Sequence, residues 1–222
     1  SRRELGVDHV DLYQLHGASS SDAWEKVRSP GGALEGLVEA RERGWIGHIG
    51  YTSHNADTAV SMVDHESFET VQFPFNLVTT EPGEKLIPLA RENSVGFIVM
   101  KPLCGGQYDD AELAFKFLNA YPDLVPIPGI ERAEEIQQIV EIVESGKTLA
   151  GEEKARAEAV AAKLGKLFCR RCGYCMPCPQ GVPITSAMVF EGFVQRLPKE
   201  RFAGEAGRRM AEKIDQCVEC GE

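Results

Sequence analysis

Residues 169–179 read Cys-Arg-Arg-Cys-Gly-Tyr-Cys-Met-Pro-Cys-Pro, so Cys169, Cys172, Cys175 and Cys178 recur every third position and a proline follows the last. A second pair, Cys217 and Cys220, repeats the spacing near the end of the sequence. Thiolates separated by two residues can grip one soft metal centre from a single tight turn, and a fourth cysteine followed by proline is typical of iron–sulfur ligation. Where two clusters share such a run, its first three cysteines serve one cluster and the fourth serves the other. By that logic Cys169, Cys172 and Cys175 hold one [4Fe–4S] cluster with a ligand from the second motif. Cys178 joins Cys217 and Cys220 on the other. Each set is then short of a ligand, and Cys175 and Cys178 have two residues between them where the usual bacterial run has three. Zinc is the alternative, because Cys172, Cys175, Cys217 and Cys220 form a tetrathiolate set. Zinc leaves Cys169 and Cys178 without work and gives no reason for the Cys-Pro step. Cys104 belongs to neither array and reads as a buried or loop thiol.

A second group of chemically capable residues falls at the ends of short apolar runs. His16 closes the first run, Thr52-Ser53-His54-Asn55 closes the second, and Lys101 closes the fourth. Gln72 lies within the third, which Asn76 follows, and the fifth runs into Pro126-Ile127-Pro128-Gly129. Taken singly, each has a structural reading: His16 caps a strand, and Ser53 or Asn55 caps the next helix. Taken together they line one rim, which is where a parallel α/β fold collects its chemistry.

The elements that position these residues follow from periodicity. Strands are expected at 9–15, 46–51, 70–75, 96–100 and 124–127, each rich in Val, Ile, Leu or aromatics and too short to be a helix. Amphipathic helices are expected at 32–43, 55–65, 82–93, 109–120 and 132–145. Strand followed by helix five times over predicts parallel strands covered by helices, either in a doubly wound sheet or in part of a (β/α)8 barrel. A Lys-, Glu- and Ala-rich stretch at 147–167 reads as a connecting helix. Two further helices, at about 185–196 and 199–216, lie between the cysteine motifs.

The chain has 222 residues, 43% of them hydrophobic, and a net charge of −10 with no basic tract, which argues against nucleic acid as a partner. No apolar run reaches the length needed to span a membrane, and no signal peptide opens the chain. Six of seven cysteines stand in C-x-x-C spacings, which favours metal ligation in a reducing compartment and hence a cytoplasmic location. The start at Ser1-Arg2-Arg3-Glu4-Leu5 reads as the last turn of a helix, and the end cuts a cysteine motif. An internal piece of a longer protein is the expectation, and an open five-unit piece is not expected to be stable or active alone.

Several of these segments resemble the aldo-keto reductases. Asp11-Leu12-Tyr13-Gln14-Leu15-His16 is similar to their fourth-strand motif, and Gly50-Tyr51-Thr52-Ser53-His54-Asn55 falls where Gly-Val-Ser-Asn follows strand five. Val71-Gln72-Phe73-Pro74-Phe75-Asn76 resembles their sixth strand. Met100-Lys101-Pro102-Leu103 stands where Tyr-Ser-Pro-Leu is common, and Ile127-Pro128-Gly129 matches their eighth-strand turn. The cysteine-rich tail resembles the branch of these proteins fused to a ferredoxin-type domain, whose Cys-Gly-x-Cys-Met-Pro-Cys-Pro run is nearly reproduced at 172–179.

The resemblance implies an α/β architecture holding about the last five βα units of a (β/α)8 TIM barrel (1–146) and a connecting helix (147–167). A small helical ferredoxin-like iron–sulfur domain (168–222, incomplete) follows. It implies an oxidoreductase that exchanges hydride between NAD(P) and a carbonyl or alcohol, with a possible electron-transfer partner. His16 orients the carbonyl and bonds the oxygen where negative charge develops, while the Asp, Tyr and Lys that complete the family's catalytic set fall upstream. Thr52, Ser53 and Gln72 hold the nicotinamide carboxamide and ring face, and Met100 takes the place of the stacking Tyr. Lys101, Gly129 and Arg132 complete the cofactor contacts. NADP-selective members carry an Arg near Glu135. A carboxylate there repels the 2′-phosphate and Arg132 partly compensates, so the implied preference is for NAD or for neither. Two alternatives stand beside this reading: a barrel that binds without turnover, and an ordinary reductase with a zinc-stabilised tail.

Overall fold

The computed structural model describes residues 1–164, 169, 175–190, 194 and 198–220. After a single turn, α1 (Arg2–Leu5), the chain runs β1 (Val10–Leu15), α2 (Ser21–Arg28), α3 (Ala33–Glu42), β2 (Ile46–Thr52), α4 (Ala56–Met62) and β3 (Thr70–Pro74). It continues through α5 (Leu86–Glu92), β4 (Gly96–Met100), α6 (Ala111–Leu118), β5 (Val125–Ile127), α7 (Ala133–Glu144) and α8 (Glu152–Leu164). The five strands form one parallel sheet in the order β1-β2-β3-β4-β5. All five predicted strands and the five predicted helices that follow them are present within a few residues. Helix α2 is additional: Ser20 caps it by accepting the Ala23 N–H at 3.2 Å, and Trp24 is its buried residue.

Register explains which strand positions are apolar. Leu15, Tyr51, Val71 and Phe97 stand in one row, with Phe73 and Val99 in a second row on the same face. All six are at most 8% exposed, packed under the helices with Leu34, Met62, Ile87 and Phe115. The opposite face carries the rows Gln14–Gly50–Thr70–Gly96 and Thr52–Gln72–Ile98–Val125. That face is open at β5, where Val125 is 58% and Ile127 45% exposed. Pro126, which lacks an N–H, sits in the last strand of the sheet, where a missing ladder donor is tolerated. Gly50 is required for close approach: a Cβ there would fall 2.0 Å from Thr70 Oγ1.

The Tyr51 hydroxyl donates to the Ala59 carbonyl at 2.6 Å, and burial, then the nearby Asp64 charge, keeps it protonated far above the usual phenol range. Replacing Tyr51 by Phe leaves that carbonyl unpaired in the core. Equilibrium urea unfolding is expected to record a loss of about 1–2 kcal/mol with an unchanged m-value.

The expected connecting helix 147–167 is α8 where described, and 165–167 lie outside the described residues. Helix α8 is fastened to α6 by Lys116–Glu153 at 2.5 Å and Arg156–Asp110 at 2.9 Å. Beyond it lie α9 (Ile184–Met188), α10 (Glu200–Ala203) and α11 (Glu205–Ile214). The helix expected at 185–196 is described as far as 190 and at 194. The one expected at 199–216 is two, because Gly204 turns extended between α10 and α11. Among the described residues no helix is long and apolar enough to cross a membrane.

Candidate active site at the carboxyl ends of the strands

The rim residues converge as their strand positions dictate. His16 follows β1 and is exposed, and the loop that carries it is spliced to the end of β2. Thr52 Oγ1 accepts the Gly17 N–H at 2.9 Å, and Ser19 Oγ accepts the His54 N–H at 3.0 Å. Gly17 makes the turn in the left-handed region, at φ +75°, which a residue without a Cβ enters at little cost. Thr52 is paired directly with Gln72 in the ladder, so the two share a face and a level of the sheet. Gln72 is half-buried and Thr52 buried.

Ser53 is fully buried, and its hydroxyl is used locally, donating to the Asn55 carbonyl and accepting the Asn55 N–H. Asn55, not Ser53, caps α4, with its Oδ1 accepting the Thr58 N–H at 2.9 Å. Asn76 is a brace. Its Oδ1 accepts the Val78 and Thr79 N–H groups, and its Nδ2 donates to the Lys101 carbonyl at 2.8 Å, locking the ends of β3 and β4 together. Lys101 itself stands at φ +57°, an unusual backbone for a non-glycine residue. Met100 is 8% exposed, in register with Pro74 and Ile127.

A cavity of about 780 Å³ opens beyond β4 and β5 and is lined by Lys101, Gly129 and Arg132 together with Gly105, Gly106, Asp109, Ile130, Glu131, Glu135 and Gln138. Its size is that of a nucleotide-scale ligand site. Three residues assigned to the cofactor from the sequence therefore line one cavity, while His16 follows β1, Thr52 ends β2 and Gln72 lies within β3. The lining by Asp109, Glu131 and Gln138 is new; these loop and helix residues carry no signal beyond their place after a strand. At the start of α7, Glu135 Oε2 accepts the Glu131 N–H at 2.9 Å and Arg132 Nε donates to Oε1 at 3.0 Å. These bonds, the Glu131 N–H first, hold the carboxyl below its usual range. Arg132, expected to offset this carboxylate, is bonded to it through its Nε, and its side chain is otherwise exposed. Cys104 is fully buried, and burial, offset in part by a bond from Val78, pushes its thiol up to about 12, so it is neutral.

In the tail, Cys169, Cys175 and Cys178 are half-buried, Cys217 and Cys220 are exposed, and Cys172 lies outside the described residues. Among the described residues no three of His, Cys, Asp or Glu are gathered to share a metal ion. The donor chemistry suits a soft metal, but the described part assembles no coordination shell.

A family profile described as aldo/keto reductase family matches residues 1–114. The aldo-keto reductase yakc [NADP(+)] of Schizosaccharomyces pombe is 31% identical over 109 residues, which are 48% of this chain and 30% of that protein. The NADH-specific methylglyoxal reductase of Escherichia coli is 24% identical over 103 residues, covering 46% of this chain and 31% of its own. The chain spans about a third of the length of such curated relatives. Among solved structures, an aldo-keto reductase from Klebsiella pneumoniae in complex with NADPH superposes with a TM-score of 0.58 at 18% identity, over 72% of this chain and 61% of that one. A Bacillus halodurans aldo-keto reductase gives 0.57 at 20% identity, over 72% and 63%. These structural likenesses establish the fold, five parallel strands of a half-barrel of TIM type. With half of the sequence under the family profile, the chain belongs to the aldo/keto reductase family.

Proposed function

We propose that the full-length protein is an NAD(P)-linked oxidoreductase acting on a small carbonyl or alcohol. The observation that carries this reading is one rim to which three successive strands bring His16, Thr52 and Gln72, with a nucleotide-sized cavity farther along it beyond β4 and β5. A bound nicotinamide supplies or accepts the hydride. His16 holds the substrate oxygen and donates a hydrogen bond as negative charge builds on it. Gln72 offers an amide to the carboxamide of the ring, and Thr52 sets the loop that carries His16. Ser53 supports this floor from within its buried turn, and Met100 closes it. Lys101, Gly129 and Arg132 border the space for the rest of the dinucleotide. The matched relatives include one named for NADP(+) and one named NADH-specific, so family membership leaves that choice open.

Residues 1–146 form the barrel portion in this reading, 147–167 connect it to the tail, and 168–222 form an iron–sulfur domain of ferredoxin type in a reducing, cytoplasmic setting. Cysteine spacing supports the last assignment: Cys169, Cys172, Cys175, Cys178, Cys217 and Cys220 supply thiolates in metal-binding order. A cluster there would pass electrons to a partner or stabilise the tail. Anaerobically purified full-length protein is expected to contain iron and acid-labile sulfide in equal amounts, with visible absorption that bleaches on reduction. Zinc without sulfide would end the iron–sulfur assignment and leave a zinc-stabilised tail. Oxidation of reduced nicotinamide by a panel of small aldehydes and ketones tests the barrel. Cofactor binding without turnover of any of them would instead favour a barrel that only binds.

A further inference from the structure

A buried polar side chain nearly always finds a partner, and one left without is costly. Of three such orphaned atoms among the described residues, two stand in the same row of the sheet: Gln14 Nε2 and Thr70 Oγ1. That row runs Gln14–Gly50–Thr70–Gly96 on the face turned away from the helices. Gly50 lies between the two groups and has no side chain to part them. The point where its Cβ would fall is 2.0 Å from Thr70 Oγ1 and 3.3 Å from Gln14 Cγ, so both side chains border one gap. Their chemistry is complementary, since the amide nitrogen donates and the hydroxyl oxygen has lone pairs to accept. They are nonetheless not bonded to each other.

The next row toward the carboxyl ends is Thr52–Gln72–Ile98–Val125, and His16 stands two residues beyond Gln14. Gln14 therefore underlies the strand end that carries His16, and Thr70 underlies Gln72, two residues on in β3. Unpaired buried groups store strain, and strain kept one layer below a reactive rim is released where a second state pairs them. The ladder already fixes the three strands, so pairing asks only for rotation of the two side chains. We propose that Gln14 and Thr70 are positioning residues for hydride transfer. Unpaired in the resting protein, they close amide to hydroxyl across Gly50 when the rim is loaded, and the layer directly beneath His16 and Gln72 stiffens. The inference rests on the functional reading above and adds to it a pair that touches neither cofactor nor substrate.

The test uses the full-length protein and two variants that keep side-chain shape while removing the polar atoms, Gln14→Leu and Thr70→Val. Each deletes an orphaned group, so the melting temperature is expected to stay level or rise. The turnover number should nevertheless fall about tenfold or more, with affinity for NADH or NADPH changed by no more than about twofold. The double variant should lose no more than the worse single one, as groups acting as a unit do. Thr70→Ser keeps the hydroxyl and should retain the parent's turnover. With isotope-labelled glutamine, the Gln14 side-chain amide signal, assigned by its loss in Gln14→Leu, should shift as NADH or NADPH is added to the parent and stay put in Thr70→Val. Unchanged turnover in either single variant, losses that add in the double, an amide signal that does not move, or a lower melting temperature would each overturn the proposal. The last would mark the two groups as ordinary paired core of the full-length protein, and all four leave the functional reading intact. A parent protein without turnover would remove that reading and the role of the pair with it.

Discussion

Replacing His16 by alanine should lower the turnover number of the full-length protein by about 10²–10³ while changing its affinity for reduced nicotinamide by no more than about twofold. The expectation follows from how the residue is held. Leu15, the last residue of β1, is buried against the helices, and the next residue emerges at the open rim. Immediately after it, Gly17 gives its N–H to Thr52 and Ser19 takes one from His54, so two hydrogen bonds fix the loop to the neighbouring strand. An imidazole mounted this way approaches a carbonyl oxygen at small cost in reorganisation. A preorganised donor acts mainly on the transition state, and its loss appears in kcat more than in binding. Steady-state kinetics and a cofactor titration on the same preparation separate the two effects. Should His16→Ala lower the melting temperature and leave kcat intact, the histidine is a strand-end residue and the catalytic assignment is wrong.

The second large effect lies beneath the rim. Phe75 is fully buried, with its ring edge-on to Tyr121 at 4.9 Å and tilted against Phe117 at 5.3 Å. Gly83 is drawn close on another side, where even a Cβ would approach the Phe75 ring to 3.2 Å. Truncation to alanine removes the contact area of a large side chain and leaves a cavity that tightly packed neighbours fill poorly. The expected cost is about 3–5 kcal/mol. Against a total stability of about 5–15 kcal/mol, this is the most damaging single truncation expected in the core. Function should suffer as well, because the Phe75 N–H bonds the Met100 carbonyl and the adjacent Asn76 holds the Lys101 carbonyl. Urea unfolding of Phe75→Ala against the parent protein measures the first effect. A loss below about 1 kcal/mol would show that the aromatic cluster closes over the gap.

The sheet was readable from sequence because its strands are short runs rich in apolar residues between turns, as 96–100 illustrates. Helix α2 was not, since Ser-Asp-Ala-Trp-Glu-Lys-Val-Arg packs only Trp24 and Val27 on the core, too short a stripe to stand out. Its one clue was the serine run before it, a capping signal weak enough to pass for a loop. The rim residues could be named because each lies in or just after a strand, but their division of labour could not. Asn55 and Ser53 are equally plausible caps on paper, and only the N–H each side chain reaches separates them. Arg132 and Glu135 offer the plainest case. Three apart at the start of a helix, they could have been read as a capping pair. Considered as separate charges facing a ligand, they gave no sign of the bond between them. The tail was the least legible, because cysteine spacing states donor chemistry without stating where the turns bring the donors.

The order of the sheet, β1-β2-β3-β4-β5, is the order of synthesis. No strand has to wait for a partner made much later, nor be threaded between two already paired. Each newly translated unit meets the exposed edge left by the one before it and covers that edge in turn, so assembly can keep pace with the ribosome and involves few distant contacts. Until the next unit arrives, the growing margin is a bare row of backbone donors and acceptors. For this chain, the hazard during production lies in pauses in translation between units.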